Sequence, residues 1–376
     1  MIPPLDLRAA TDEIRDELNE VFARFLDSGR YVLGPETTAF EQEYAAYCEV
    51  DFCVGVSSGL DALHLALRAA EIGPGDEVIA ASNTYIATWL AVTHAGATVV
   101  PVEPDPASFN ISPALIAEKI TPRTRAILAT NLYGLPVDYK RIRQIADASN
   151  LVFVTDNAQA AGAKSEGVTV GGIADIECHS FYPTKNLGAL GGAGAVTTSN
   201  TIFAERLRAL RNYGSTQRYV HDSVGFNNRI DELQAGILRV KLRHLDDWNE
   251  RRKSVVKQYL ERLNADRRLT LPQQPTGYEH VWHQFVIRTD ERDSVLDRLK
   301  QCGVHALIHY PVPPHRSGAY QHQFATSDFP IADQLAQSCL SLPISPTITD
   351  KDVNQVADTL LSCLPNEWPR RQNVAA

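Results

Sequence analysis

Between residues 50 and 200 the chain alternates short apolar runs with longer segments of helical period. The runs Phe52–Val56, Glu77–Ala81, Thr98–Val102, Ala126–Thr130, Leu151–Thr155, Ile176–Phe181 and Gly194–Thr198 are apolar almost throughout, which suits strands buried on both faces. The helical stretches between them suit right-handed crossovers in a mainly parallel sheet. Ahead of this region, Ile14, Leu18, Val21, Phe22 and Phe25 fall at helical spacing and predict a helix over residues 11 to 27. A Gly34-Pro35 turn and a helix around Phe40 to Tyr47 follow. Asp231 stands where it can cap a long helix, DELQAGILRVKL, whose Leu233, Ile237, Val240 and Leu245 share a face. From about residue 250 the pattern reads helix, strand (His283–Arg288), helix (Asp293–Gln301), strand (Val304–Ile308), loop, helix. We therefore expect a large domain over 1–245, including the N-terminal helix, and a smaller α+β domain over 246–376. The closing NEWPRRQNVAA reads as a loose tail. No internal repeat stands out.

Composition narrows the partners. The formal net charge is -9 over 376 residues, and an acidic balance argues against nucleic acid as the main partner. It leaves room for a small phosphorylated ligand, which needs only a local site. Cys48, Cys53, Cys178, Cys302, Cys339 and Cys363 are scattered, without a C-x-x-C pair or zinc spacing, so free thiols and no metal are expected. The start, MIPPLDLRAATDEI, turns polar at once, and no run approaches the roughly 20 apolar residues of a membrane span. A cytoplasmic enzyme is the expectation.

Four segments offer chemistry. Lys185, in SFYPTKNLGALGG, sits on a turn after a buried strand, at the edge of an α/β sheet where ligands bind, although most loop lysines are merely solvated. Asp156 closes the Leu151–Thr155 strand; it could equally cap the AQAAGA segment after it. Val56-Ser57-Ser58-Gly59-Leu60-Asp61 runs from a strand into a helix whose first amides favour an anion, with Asp61 turned away from it. Ordinary βα turns look the same. Tyr85, in SNTYIAT, offers a plane for stacking, or a core aromatic. His64 on the LDALHLALRAA helix reads as packing. A lysine, an acid, an anion cradle and a flat side chain are the parts a pyridoxal phosphate site needs: an amine for the cofactor aldehyde, a carboxylate that keeps the ring nitrogen protonated, amides for the phosphate and a surface for the ring.

The words SSGLDALHLAL, GDEVIAASNTYIAT, VTDNAQAAGA, SFYPTKNLGALGG and GFNNRIDELQAGIL, in this order, resemble the DegT/DnrJ/EryC1/StrS family of sugar-nucleotide aminotransferases, from about Leu5 to Leu364. The resemblance implies the aspartate-aminotransferase-like fold type I, with a mixed, mostly parallel seven-stranded sheet. It makes Lys185 the Schiff-base lysine, Asp156 the partner of the pyridinium nitrogen, Gln159 the amide near the ring and its phenolic oxygen, and Tyr85 the stacking aromatic. Gly59, Leu60 and Ser180 match phosphate-binding positions. Asn227 matches an asparagine that reaches the phosphate from a neighbouring subunit, which implies a homodimer with shared sites. Arg229, Arg251 or Arg252, and His309-Tyr310 match positions near the substrate; His309-Tyr310 is also a plausible turn before Pro311.

Two departures stand out. Leu60 replaces a threonine common among relatives, a hydroxyl that Ser57 or Ser58 could supply, and the run Gly191-Gly192-Ala193-Gly194 lacks an acid many relatives carry there. The implied reaction moves an amino group from glutamate to a keto sugar nucleotide. SNTYIAT, the VEPD at Val102 to Asp105 and SGLDALHLAL look most like the branch that aminates C3 of a dTDP-linked 3-keto-6-deoxyhexose. The alternatives are amination of a dTDP- or UDP-4-keto sugar, and a non-catalytic, regulatory binder of pyridoxal phosphate or sugar nucleotide. A nucleotide-cofactor dehydrogenase is disfavoured because no G-x-G-x-x-G follows the first strand. Lys185 disfavours a related sugar dehydratase, which would carry histidine there.

Overall fold

The computed structural model describes residues 1–326 and 328–365, so the expected loose tail lies outside the described residues. Seven strands form one sheet: β1 (Phe52–Val56), β2 (Glu77–Ala81), β3 (Thr98–Val102), β4 (Thr124–Thr130), β5 (Val152–Asp156), β6 (Ile176–Ser180) and β7 (Gly194–Thr198). Their order is β1-β7-β6-β5-β4-β2-β3. The pairs from β3 through β2, β4 and β5 to β6 are parallel, and β7 runs antiparallel to both β6 and β1. This is the fold type I arrangement the sequence implied. The central strands are apolar because helices cover both faces. One face packs Val54, Val78, Leu128, Val154 and Val196 with Leu63, Leu67 and Trp89; the other packs Ile79, Ile127 and Phe153 with Ile142 and Ala146.

The N-terminal helix divides. α1 (Leu7–Glu13) is capped by the Asp6 carboxylate, and α2 (Arg15–Ser28) begins beyond Ile14, whose backbone leaves the helical region. Period alone joined them, because Ile14 is buried against Trp248 and continues the apolar face across the break. α3 (Pro35–Tyr47) follows. α4 (Gly59–Ala69) and α5 (Ile86–His94) are the crossovers after β1 and β2, α6 (Tyr139–Ser149) precedes β5, and α7 (Thr201–Leu210) follows β7. α8 (Glu232–Leu242) starts at Asp231, but that carboxylate makes no capping bond. The adjacent Glu232 instead turns back and accepts from Gly34 N, Glu36 N, Thr37 N and Thr37 Oγ1, capping α3. A side chain at Gly34 would strike this carboxylate, with its Cβ 2.6 Å from Glu232 Oε1.

α9 (Leu245–Leu263) links two cores. Leu245 belongs with Phe40 and Phe181, whereas Val255, Val256 and Tyr259 belong to a second cluster with Phe285, Leu340, Val353 and Val356. That second body holds β8 (Phe285–Arg288), α10 (Arg292–Gln301), α11 (Pro330–Ser338), β9 (Cys339–Leu342) and α12 (Asp350–Cys363). β8 pairs antiparallel with β9, an element the sequence pattern did not reveal. The expected strand Val304–Ile308 reduces to isolated bridges, Val304 with Ile2 and Leu307 with Ser341. Ile2 therefore packs in the second body, reached from the N-terminus through Ile2 N→Gly303 O (2.8 Å) and His305 N→Ile2 O (3.0 Å). All six cysteines are free.

Candidate active site

A cavity of about 470 Å³ opens at the carboxyl ends of β4, β5 and β6, the edge where parallel sheets bind ligands. β5 delivers Asp156 and the turn after it Gln159; β6 delivers Ser180 and the loop beyond it Lys185. Gly59 and Leu60 enter from the start of α4, and Tyr85 from the start of α5. The second body closes the far side with His283, Gln284, His309 and Tyr310.

Asp156 is buried. Its Oδ1 accepts from Ala158 N (3.1 Å) and its Oδ2 from Thr88 Oγ1 (2.9 Å). Burial raises its pKa, and the Ala158 amide, Thr88 and the charge of Lys185 oppose that rise. It is no helix cap. Lys185 reaches the same cavity, and its amine makes no hydrogen bond or ion pair among the described residues. Burial lowers its pKa to about 8 against the pull of Asp156. Among the described residues the amine has no partner and the carboxylate two donors, so both are under-used by the fold, which is what a site kept for a ligand requires.

The anion cradle forms where α4 meets the end of β6. The first amides of α4, at Gly59 and Leu60, have no partner within the helix. Gly59 is there because a Cβ would sit 2.5 Å from Ser180 Cβ and fill the cradle. Asp61 is turned away, as the sequence required: it accepts from Ser57 Oγ (2.7 Å), Ser58 Oγ (2.6 Å) and Asn228 Nδ2 (2.9 Å). Those bonds correct one expectation. Both serine hydroxyls donate to Asp61, so neither proton is free to replace the hydroxyl lost at Leu60; the oxygen of Ser180 stands closer to that role.

Tyr85 is 52% exposed, its ring 5.0 Å from that of Tyr310 and otherwise open to the cavity, so it is not a core aromatic. Gln159 is fixed at both ends, accepting from Tyr133 N (2.5 Å) and donating to Tyr310 Oη (3.0 Å). His309 bonds Ser341 Oγ (2.8 Å) through Nδ1, and burial followed by the charge of Lys185 lowers its pKa to about 4, so it is neutral. His64 packs against Phe226.

Four residues lie elsewhere. Asn227 is exposed and paired in a bridge with Asn212; Arg229 donates to Asn212 Oδ1 (2.9 Å) and lies over the Tyr213 ring. Neither lines this chain's cavity. Arg251 pairs with Glu13 and Asp247 on α9. Arg252 is buried and donates to the carbonyls of Trp282, His283 and Ile344. Arg251 thus joins two helices and Arg252 joins α9 to the loops flanking β8 and β9, and neither lines the cavity. Sequence reasoning missed Thr88, His283 and Gln284. Thr88 lies one helical turn beyond Tyr85 in the SNTYIAT word, but nothing in the word marks it; His283 and Gln284 read only as strand residues.

A fold type I sheet that brings a lysine, a carboxylate and a helix-borne anion cradle to one cavity defines a transaminase architecture. The comparisons agree. Residues 12–361 match the model of the DegT/DnrJ/EryC1/StrS aminotransferase family, and the chain belongs to that family. It is 48% identical over 375 residues, covering 100% of this chain and 98% of the relative, to a dTDP-3-amino-3,4,6-trideoxy-alpha-D-glucose transaminase of Streptomyces venezuelae. A crystal structure of DesV from S. venezuelae in complex with a ketimine intermediate superimposes with a TM-score of 0.94 at 48% identity, covering 96% of this chain and 98% of that one. NtdA from Bacillus subtilis, solved with bound cofactor PMP, gives a TM-score of 0.90 at 30% identity, over 96% of this chain and 85% of that one.

Proposed function

We propose that this chain is a pyridoxal-phosphate-dependent aminotransferase that places an amine on C3 of a dTDP-linked 3-keto-6-deoxyhexose, with glutamate as donor. One observation carries the reading: Lys185 and Asp156 share a cavity with the Gly59–Ser180 cradle, in a chain 48% identical to a dTDP-3-amino sugar transaminase. The residues fit the cofactor. The cradle suits its phosphate, Asp156 its ring nitrogen, Tyr85 its face and Lys185 its aldehyde. When bound, the cofactor supplies an electron sink for the carbon that gains or loses a proton.

The chain supplies the rest. Asp156 keeps a negative charge facing the ring nitrogen. Lys185, its pKa lowered by burial to about 8, would be the amine placed to hold and move the proton of the donor's α-carbon, and in reverse that of the sugar. Gln159 ties the ring side of the cavity to Tyr310, and Tyr310 and His309 form the wall the sugar meets. His309 enters this reading as a neutral hydrogen-bonding group.

The proposal includes a homodimer in cytoplasm. Asn227 and Arg229 point away from their own cavity, and Tyr182, Leu190, Tyr213 and Tyr219, close in sequence to Lys185 and Asn227, are between 46% and 81% exposed. A second copy would cover that apolar surface and bring Asn227 to its neighbour's phosphate cradle. Among the described residues no helix is long and apolar enough to cross a membrane.

The test of the reaction is incubation with glutamate and, separately, 3-keto and 4-keto dTDP-sugars, with nitrogen located by NMR. Amination at C3 is expected. Amination at C4 alone, or of UDP- or GDP-sugars alone, would overturn the substrate assignment and leave the cofactor chemistry standing. Mixing Asn227→Ala with Lys185→Ala chains tests the shared site: one of the two mixed sites is intact, so partial activity should return.

A further inference from the structure

We propose that Thr88 is a positioning residue for the group that faces the cofactor nitrogen: together with Thr84 and Thr130 it forms a one-way chain of hydroxyls that holds Asp156 as an oriented carboxylate. The inference rests on the reading of Asp156 given above and adds the residues that act through it.

The chain runs through three contacts. Thr88 Oγ1 lies 2.9 Å from Asp156 Oδ2, Thr84 Oγ1 2.9 Å from Thr88 Oγ1, and Thr130 Oγ1 3.0 Å from Thr84 Oγ1. An ionised carboxylate only accepts, so the Thr88 proton points at Asp156. Thr88 then accepts from Thr84, and Thr84 from Thr130. Three hydroxyls have three protons for three links, and this is the single assignment that makes every link. All three O–H dipoles therefore point toward the buried charge, and such chains strengthen one another.

The sequence makes this arrangement costly unless it has a use. A threonine inside a helix can bond the carbonyl four residues back. Thr93 on the same helix does so, donating to Trp89 O at 3.2 Å. Thr88 gives its proton to Asp156 instead. Thr84, Thr88 and Thr130 are each 5% exposed or less, and they come from the loop after β2, from α5 and from the end of β4, so three elements supply one line of hydroxyls that ends on one oxygen of Asp156. Thr130 also lines the cavity, so the chain begins at the cavity wall and ends at Asp156.

The titratable groups around Asp156 are Lys185 from the loop after β6, Cys178 from β6 and Tyr310 from the second body. Burial keeps Cys178 and Tyr310 protonated at neutral pH and below, and His309 and His283 beside Lys185 are held neutral, His309 with a pKa of about 4. Lys185 titrates near 8, on the alkaline side. The ligand's phosphate, with a second pKa of about 6, titrates alike in every variant, so the share of Asp156 in the acid limb is the part that Asp156→Asn removes.

The probe is pyridoxine 5′-phosphate, which carries the ring nitrogen and phosphate but no aldehyde, so its affinity does not depend on a bond to Lys185. Its dissociation constant is measured against pH for full-length wild-type apoprotein and for Thr88→Val, Thr88→Ser, Thr84→Val and Asp156→Asn. Loss of a hydrogen bond to a charged group should move the acid limb of Thr88→Val up by roughly one to two pH units. Thr88→Ser should restore it, and Thr84→Val should move it up by less. Limbs of Thr88→Val and wild type that superimpose would overturn the proposal, as would a Thr88→Ser limb displaced as far as that of Thr88→Val. If Thr88→Val does not fold, Thr84→Val decides, with an unmoved limb counting against the chain. Asp156→Asn separates the two claims. If it keeps the wild-type limb, the reading of Asp156 itself fails; if it loses the limb while Thr88→Val keeps it, only the role of Thr88 fails.

Discussion

Two buried carboxylates stand on neighbouring strands, Asp156 at the end of β5 and Glu177 on β6, where Glu177 faces Thr155 in register. Their surroundings differ sharply. Glu177 accepts from six donors: Tyr139 Oη, Thr155 Oγ1, Asn157 Nδ2 and the amides of Gly171, Ile173 and Ala174. Asp156 accepts from two, and the rest of its capacity faces the cavity. A saturated carboxylate is a structural clamp, here fixing the turn that leads into β6. A half-satisfied one carries an unpaid desolvation cost, and a protein keeps such a group where a ligand completes it. Burial alone would have ranked Glu177, at 0% exposure, above Asp156, at 5%; the donor count reverses that order.

The largest effect is expected at the amine that completes the Asp156 side of this contrast. Lys185→Ala should lower the turnover rate by at least about 10²–10⁴-fold, the usual contribution of a positioned acid–base group. It should not lower the melting temperature, since the amine makes no hydrogen bond or ion pair among the described residues and burial disfavours its charged form. A variant that melts well below wild type would show that Lys185 belongs to the scaffold.

The two acids should then separate by observable. Asp156→Asn should fold with stability within about 1 kcal/mol of wild type and lose about 10²–10³-fold in rate, because the amide brings no charge to the ring nitrogen. Glu177→Gln should do the reverse: its amide nitrogen would face either the Ile173 and Ala174 amides or Asn157 Nδ2 and the Gly171 amide, orphaning two N–H donors, at a cost of about 2–5 kcal/mol in chemical denaturation. Equal stability losses for the two variants would erase the distinction between clamp and site.

A smaller effect concerns pH. A lysine whose pKa is depressed to about 8 by burial reacts through its neutral form, so the rate of pyridoxal phosphate capture by the apoprotein should climb from pH 6 and level off above about 8. Folding follows the same sign, since a lowered lysine pKa favours the native state more as pH rises through 8 toward 10.5. Because Asp156 pulls the pKa of Lys185 upward, Asp156→Asn should move the capture profile to lower pH. Stopped-flow absorbance would show it, and a shift to higher pH would contradict the assignment of causes.

Legibility in the sequence followed burial and locality. Most strands of the sheet were visible because strands covered on both faces are mainly apolar; β6, which carries Glu177 and His179, is the exception. The small body was harder: β9 is four residues, CLSL, with no alternation to mark it, and Val304 and Leu307 make single bridges where a strand was expected. Lys185, Asp156 and Gly59 stood out through the resemblance of whole words; their spacing alone carried no such signal. Thr88 was hidden because a helical threonine has an ordinary local bond available, and only the tertiary position of Asp156 diverts it. Arg251 and Arg252 were misplaced for a related reason. An arginine on a long helix can face either way, and here Glu13 and the carbonyls near Trp282 claim them.

The central claim is that Lys185 is the residue that holds the cofactor. The direct measurement is borohydride reduction of the holoenzyme, followed by proteolysis and mass spectrometry of every lysine-containing peptide. The account predicts the reduced cofactor mass on the peptide that contains Lys185 and its absence from the Lys185→Ala protein. Cofactor fixed to another lysine of the wild-type enzyme would contradict it.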